Sequence, residues 1–180
     1  CTSTNVNLGS PAVADNCTAK ANLTVTNNAP SAFPIGNTTV TWTVKDEANN
    51  TATATQIVTV TDNINPTITA PANASGTTNV ACTSTNVNLG SPVIADNCTA
   101  KANLTVTNNA PSAFPIGNTT VTWTVKDAAN NIATATQIVT VTDNINPTIT
   151  APAAASGTTN VACTSTNVNL GSPAVADNCT

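Results

Sequence analysis

The stretch that decides the fold is Asn118 to Pro147, NTTVTWTVKDAANNIATATQIVTVTDNINP. Its first arm alternates: Val121, Trp123 and Val125 fall on one side, and Thr120, Thr122, Thr124 and Lys126 on the other. A period of two in β-branched and aromatic residues marks a half-buried strand. Asp127-Ala-Ala-Asn-Asn131 supplies a turn, because asparagine tolerates the left-handed backbone that a tight hairpin needs. The second arm, Ile132 to Thr142, returns rich in Thr, Val and Ile. Val139 and Val141 alternate inward while Ile138 lies out of their parity, so the sequence predicts a bulge near Gln137. The whole reads as a β-hairpin that runs directly into Asp143-Asn-Ile-Asn-Pro147.

The same hairpin occurs earlier, at Asn37 to Pro66, displaced by 81 residues. The displacement also relates Cys1, Cys82 and Cys163, and Cys17, Cys98 and Cys179. Residues 1–99 and 82–180 differ at seven positions: Ala12/Val93, Val13/Ile94, Glu47/Ala128, Thr51/Ile132, Asn73/Ala154, Val93/Ala174 and Ile94/Val175. The changes are small, as expected of a tandem array. The chain then divides into the C-terminal portion of one repeat (1–65), a complete repeat (66–146) and the N-terminal portion of a third (147–180), a window on a longer array. A repeat of this size folds around a modest core, and covalent staples are expected.

Only 7% of residues are charged and 2% aromatic, with no histidine, and the surface is built from Thr, Asn and Ser. A net charge of −4 and a pI near 4.1 argue against nucleic acid, which needs a basic stripe. No apolar run is long enough for membrane insertion. Without histidine, and with serine and threonine spread along strand surfaces, no constellation for catalysis is visible, and the chain reads as no enzyme. The cysteines lack CxxC spacing and histidine partners for zinc, so they read as disulfide cysteines of an oxidising compartment. The expected pairing lies within a repeat: Cys82–Cys98, with Cys1–Cys17 and Cys163–Cys179 equivalent. A loop of about 15 residues closed in this way gains roughly 3 kcal/mol. The rival is a bond between repeats, such as Cys17 to Cys82.

Along the complete repeat, Thr67–Ala70 opens as a strand with Ile68 inward, and Pro71–Thr78 crosses a sheet edge. Val87 and Leu89 share one face, Gly90-Ser-Pro92 turns or bulges the chain, and Leu104 and Val106 point inward. Phe114-Pro-Ile-Gly117 is an apolar corner whose Phe114 fills the core beside Trp123. Six or seven short strands with turn signals between them indicate a sandwich of two sheets.

The run Ala95-Asp96-Asn97-Cys98, then Phe114 to Val125, then Asp127 to Asn131 and Val139-Thr-Val-Thr-Asp143, resembles the hyalin repeat (HYR) domain over essentially the whole repeat. That family is an immunoglobulin-like extracellular module found in large bacterial surface adhesins. Asn130 stands where glycine is usual in the family's turn, and Ala135 stands where many members carry a last-strand cysteine. The resemblance implies all-β tandem immunoglobulin-like β-sandwich repeats, extracellular or at a cell surface, in scaffold or adhesion work without catalytic residues. The expected function is a structural stalk or fibre segment that spaces an adhesive tip from the cell and supports adhesion or surface motility. Its partners are neighbouring repeats of the same chain, with lateral association into fibres open to it. The alternatives are a repeat that itself binds glycan or protein, or a spacer in a secreted hydrolase.

Seven of the eight carboxylates are aspartates at three repeated positions: Asp15/Asp96/Asp177, Asp46/Asp127 and Asp62/Asp143. In an immunoglobulin-like sandwich the loop holding Asp96, the hairpin turn holding Asp127 and the incoming linker Asp62-Asn63-Ile64-Asn65-Pro66 meet at one pole. The linker is similar to the Asp/Asn-rich linkers of cadherins. Asp62, Asn63, Asn65, Asp96 and Asp127 are therefore candidate calcium ligands, the one cofactor considered. Asp143 and Asp177 are their counterparts at the next junction, and Asp15 and Asp46 form an incomplete set. The alternative is that these residues cap turns through side-chain hydrogen bonds, or that Asp127 pairs with a lysine.

Overall fold

The computed structural model describes residues 1–79, 81–159, 161–165 and 167–179. Two compact units form. The first gathers Cys1–Thr67 with Ala95–Thr105 and Lys126–Ile132; the second gathers Ile68–Ile94, Val106–Val125 and Ala133–Thr180. The first unit thus includes the Asp96 loop and the Asp127 turn from the following sequence repeat.

The first unit contains β1 (Thr2–Ser3), β2 (Thr24–Asn27), β3 (Phe33–Pro34), β4 (Gly36–Lys45) and β5 (Thr51–Val60). They form a sheet of order β2-β4-β5 and a ribbon of β1 with β3. The β4–β5 hairpin keeps one antiparallel register throughout, from Gly36 opposite Val60 to Lys45 opposite Thr51. Alternation drives Val40 inward beside Phe33 and Val58, and Val6, Leu8, Trp42 and Val60 pack on them. At the hairpin tip, Asn49 adopts φ +72°. The Asp46 carboxylate accepts from the Asn50 backbone N–H at 2.7 Å and from its side-chain amide at 2.7 Å.

The second unit carries β6 (Thr67–Thr69), β7 (Ala74–Thr77), β8 (Thr83–Ser84), β9 (Val93–Ala95), β10 (Thr105–Asn108), β11 (Phe114–Pro115), β12 (Gly117–Lys126), β13 (Ile132–Thr142), β14 (Thr148–Thr150) and β15 (Ala174–Ala176). A four-stranded sheet runs β10-β12-β13-β7, and β6 with β9, β8 with β11 and β14 with β15 form ribbons. Phe114, Val121, Trp123, Val139 and Val141 are the buried core; Ile68 of β6 and Val87 and Leu89 pack against it. Each such side chain removed from water contributes about 1.5–3 kcal/mol. The segment expected to cross an edge does so as β7, which joins β13 in parallel, Ala74 opposite Val139. Gly76 lets β7 lie close over Ser84 and Val87: a Cβ there would meet Val87 Cγ2 at 2.9 Å and Ser84 Oγ at 3.0 Å.

The described residues contain strands, turns and two three-residue 3-10 turns, Lys20–Asn22 and Lys101–Asn103. The chain is all-β, as immunoglobulin-like sandwich repeats require. The expected bulge at Gln137 is not there. Gln137, Val139 and Val141 are all buried, Ile138 is 41% exposed, and β13 alternates without a change of phase. Gln137 takes a core position because its polar atoms are satisfied there. Its Oε1 accepts from Trp123 Nε1 at 3.0 Å, and its Nε2 donates to the carbonyls of Ala72 at 2.7 Å and Leu89 at 3.0 Å. A buried amide with three partners costs little of what an unpaired one would.

Candidate functional site: an aspartate cluster beside a cystine

Asp62 follows β5, Asp96 follows β9 and Asp127 opens the turn after β12. Within the first unit, the structure brings one carboxylate oxygen from each to within 4.8 Å of the others. Local hydrogen bonds aim each carboxylate. Asp96 Oδ2 accepts from the backbone N–H groups of Thr99 at 2.6 Å and Cys98 at 2.8 Å. Asp62 Oδ1 accepts from the Ile64 N–H at 3.2 Å. Asp127 is buried, and its two oxygens accept from Asn131 N and Nδ2, each at 2.7 Å. Asp127 therefore does cap its turn, with Asn130 at φ +74° completing it.

Two residues not anticipated from the sequence tie the three segments together. Asn131 Nδ2 donates to the Asp62 carbonyl at 3.2 Å, and the buried Thr99 hydroxyl accepts from the Ala128 N–H at 3.1 Å. After these bonds, Asp62 Oδ2 and Asp96 Oδ1 remain shielded from solvent with no hydrogen-bond partner. Buried carboxylate oxygens are ordinarily paired, and like charges this close repel. Hard oxygens from three carboxylates are the donor set that a Ca²⁺-sized cation takes.

The N–H groups of Thr99 and then Cys98 hold the Asp96 carboxyl below its ordinary value of 3.8, and Thr18 and Cys17 do the same for Asp15. Asn63 and Asn65 are exposed. Asp15 and Asp46 line one shallow pocket with Asn50. In the second unit, Asp143 Oδ1 accepts from the Thr78 hydroxyl and the Ile145 N–H, both at 3.0 Å. Asp177 keeps a buried, unpartnered Oδ1.

The disulfide is not the expected one. Cys98 is bonded to Cys1, 97 residues away, with the Cα atoms 5.1 Å apart. The intra-repeat pairing Cys82–Cys98, with Cys1–Cys17 beside it, is overturned by this bond; Cys17 and Cys82 are free thiols rather than partners of one another, and Cys163 and Cys179 are free as well. The spacing misled because the residues between Cys82 and Cys98 do not close a loop. They run along the core through Val87 and Leu89 and then through β9, paired with β6. The bond instead joins the first cysteine of one repeat to the second cysteine of the next. Closing a loop of about 100 residues stabilises by about 4.7 kcal/mol in the chain-entropy account, more than the roughly 3 kcal/mol of a short loop.

The sequence profile of the HYR domain matches residues 1–60 and again residues 61–141. The chain belongs to the HYR domain family. It is 30% identical over 172 residues to Hyalin of Lytechinus variegatus, an alignment covering 93% of this chain and 32% of that protein. It is 32% identical over 154 residues to Hyalin of Strongylocentrotus purpuratus, covering 82% of this chain and 13% of that protein. The chain thus spans a third or less of the length of these relatives. Among the described residues of this HYR chain, no helix is long and apolar enough to cross a membrane.

Proposed function

We propose that this HYR chain is a structural segment of an extracellular, adhesion-related fibre, a stalk spacing an adhesive tip from the cell, with calcium fixing successive repeats. The observation that carries the reading is the make-up of the first unit: Cys1–Thr67 with Ala95–Thr105 and Lys126–Ile132. It holds the Cys1–Cys98 bond and the Asp62, Asp96 and Asp127 cluster together. A string of independent ligand-binding modules needs neither feature; a stalk that resists rotation between repeats needs both. The Hyalin relatives support the adhesion-related assignment.

The chain's apolar groove, lined by Pro11, Val25, Trp42 and Val44, argues less for a glycan site than its aromatic suggests. The matching Trp123 is 6% exposed, in a core that Ile68 and Ala70 pack against. Phe33, Phe114 and Trp123 are buried and Trp42 is half-buried against Phe33, Val40 and Val58, whereas an adhesive hot spot needs an exposed aromatic.

The test is calcium titration of the intact chain by thermal denaturation. A cation bound only to the folded state adds about 2.7 kcal/mol at a hundredfold excess over Kd. For a chain of this size that raises Tm by roughly 5–11 °C. Asp127→Ala and Asp62→Asn should each abolish most of the rise. Equal melting in calcium and EGTA would leave these residues as turn caps.

A further inference from the structure

The Cys1–Cys98 bond has a defined setting: Cys1 Sγ lies 3.1 Å from the Asn97 carbonyl oxygen, and Asn97 Nδ2 lies 3.0 Å from Cys98 Sγ. In the second unit, the residues one repeat further along reproduce it. Cys82 Sγ lies 3.4 Å from the Asn178 carbonyl oxygen, and Asn178 Nδ2 lies 3.1 Å from Cys179 Sγ. Cys179 Sγ lies 3.7 Å from the carbonyl oxygen of Ala81, the neighbour of Cys82. The loop that presents the second cysteine is fixed in the same way each time, Asp96 Oδ2 accepting from Cys98 N at 2.8 Å and Asp177 Oδ2 from Cys179 N at 3.1 Å. Asn178 Nδ2 also donates to the Ala81 carbonyl at 3.2 Å, which ties the two cysteine-bearing segments together.

We propose that Cys82 and Cys179 form a second cystine equivalent to Cys1–Cys98, so that the first cysteine of every repeat is bonded to the second cysteine of the next. In its formation each thiol gives up a proton, an Sγ–Sγ bond forms, and two electrons pass to an external disulfide such as oxidised glutathione, which is reduced to two thiols. Cys17 and Cys163 have no counterpart partner of this kind within residues 1–180. Each thiol attacks once, as its thiolate: one opens the glutathione disulfide, and the other displaces glutathione from the resulting mixed disulfide. The ladder stands independently of calcium and of any stalk role.

The covalent consequence is specific. Cys82 lies inside the loop closed by Cys1–Cys98, so the shortest bonded route along the chain crosses to Cys98, doubles back to Cys82 and crosses again to Cys179. Fully stretched, that route is about 70 Å, against about 630 Å for the reduced chain.

The test is a non-reducing peptide map of the intact chain. The protein is folded with oxidised glutathione, its remaining thiols are alkylated, and it is cut with trypsin. Lysines 20, 45, 101 and 126 place Cys1 and Cys17 on residues 1–20, Cys82 and Cys98 on 46–101, and Cys163 and Cys179 on 127–180. The ladder predicts all three peptides in one species, with Cys17 and Cys163 alkylated. Recovery of 127–180 apart from 46–101, with Cys82 and Cys179 alkylated or with a bond inside either peptide, overturns it. Cys82→Ser should release 127–180 alone while 1–20 stays joined to 46–101. Should that variant not fold, Cys17→Ser with Cys163→Ser keeps both bonds and must still give the three-peptide species; its absence is equally decisive.

Discussion

Replacing Gln137 by alanine removes the one buried polar side chain that connects β13, the residues flanking β7 and β9, and the core tryptophan. Gln137 is 1% exposed, and it makes three hydrogen bonds, to Trp123 Nε1 and to the Ala72 and Leu89 carbonyls. Each such bond is worth about 1 kcal/mol net, and the abandoned buried partners carry a further desolvation penalty. The expected loss is therefore about 3–5 kcal/mol. Urea unfolding followed by tryptophan fluorescence reads the loss in a background that keeps only Trp123. With m near 1–2 kcal/mol/M, Gln137→Ala moves the midpoint by about 2 M or more. A shift below about 0.5 M would refute the claim that these three buried bonds hold the core together.

Backbone conformation at the hairpin tip gives a second expectation: Asn130 sits at φ +74°, so Asn130→Gly should be neutral or slightly stabilising, whereas Asn130→Val should cost about 1–2 kcal/mol in thermal denaturation. For pH, backbone N–H groups depress Asp15 and Asp96 in the fold. Their stabilisation is complete above the unfolded value near 4 and is lost as pH falls through the lower folded values. With no histidine in the chain, melting in calcium-free buffer should be flat from about pH 5 to 8 and fall below about pH 4; a step near pH 6.5 would contradict this.

The hairpins, the repeat and the inward valines were legible because strand alternation is local and writes itself into every second residue. The aspartate cluster was legible in outline because three repeated positions fall in loops that one sandwich pole brings together. Gln137 was not, because a glutamine among threonines reads as part of a polar face. Its meaning lies fourteen residues back in Trp123, and the β4–β5 register explains the reach: Val40 faces Gln56, so Trp42 is the diagonal neighbour. The disulfide was misread for a related reason. Sequence spacing suggested a closed loop, whereas the intervening residues were already committed to the core by Val87, Leu89 and β9. Which cysteines then meet depends on the neighbouring repeat, and a pattern within one repeat does not contain that information.

Mechanical extension of the oxidised chain, pulled from residue 1 and residue 180, tests the staggered cystine ladder most directly. With staggered bonds at Cys1–Cys98 and Cys82–Cys179, the stretched length should stop at about 70 Å and rise to about 630 Å once a reductant is added. Bonds confined within each repeat would instead let the oxidised chain run out to about 470 Å, and that result would contradict it.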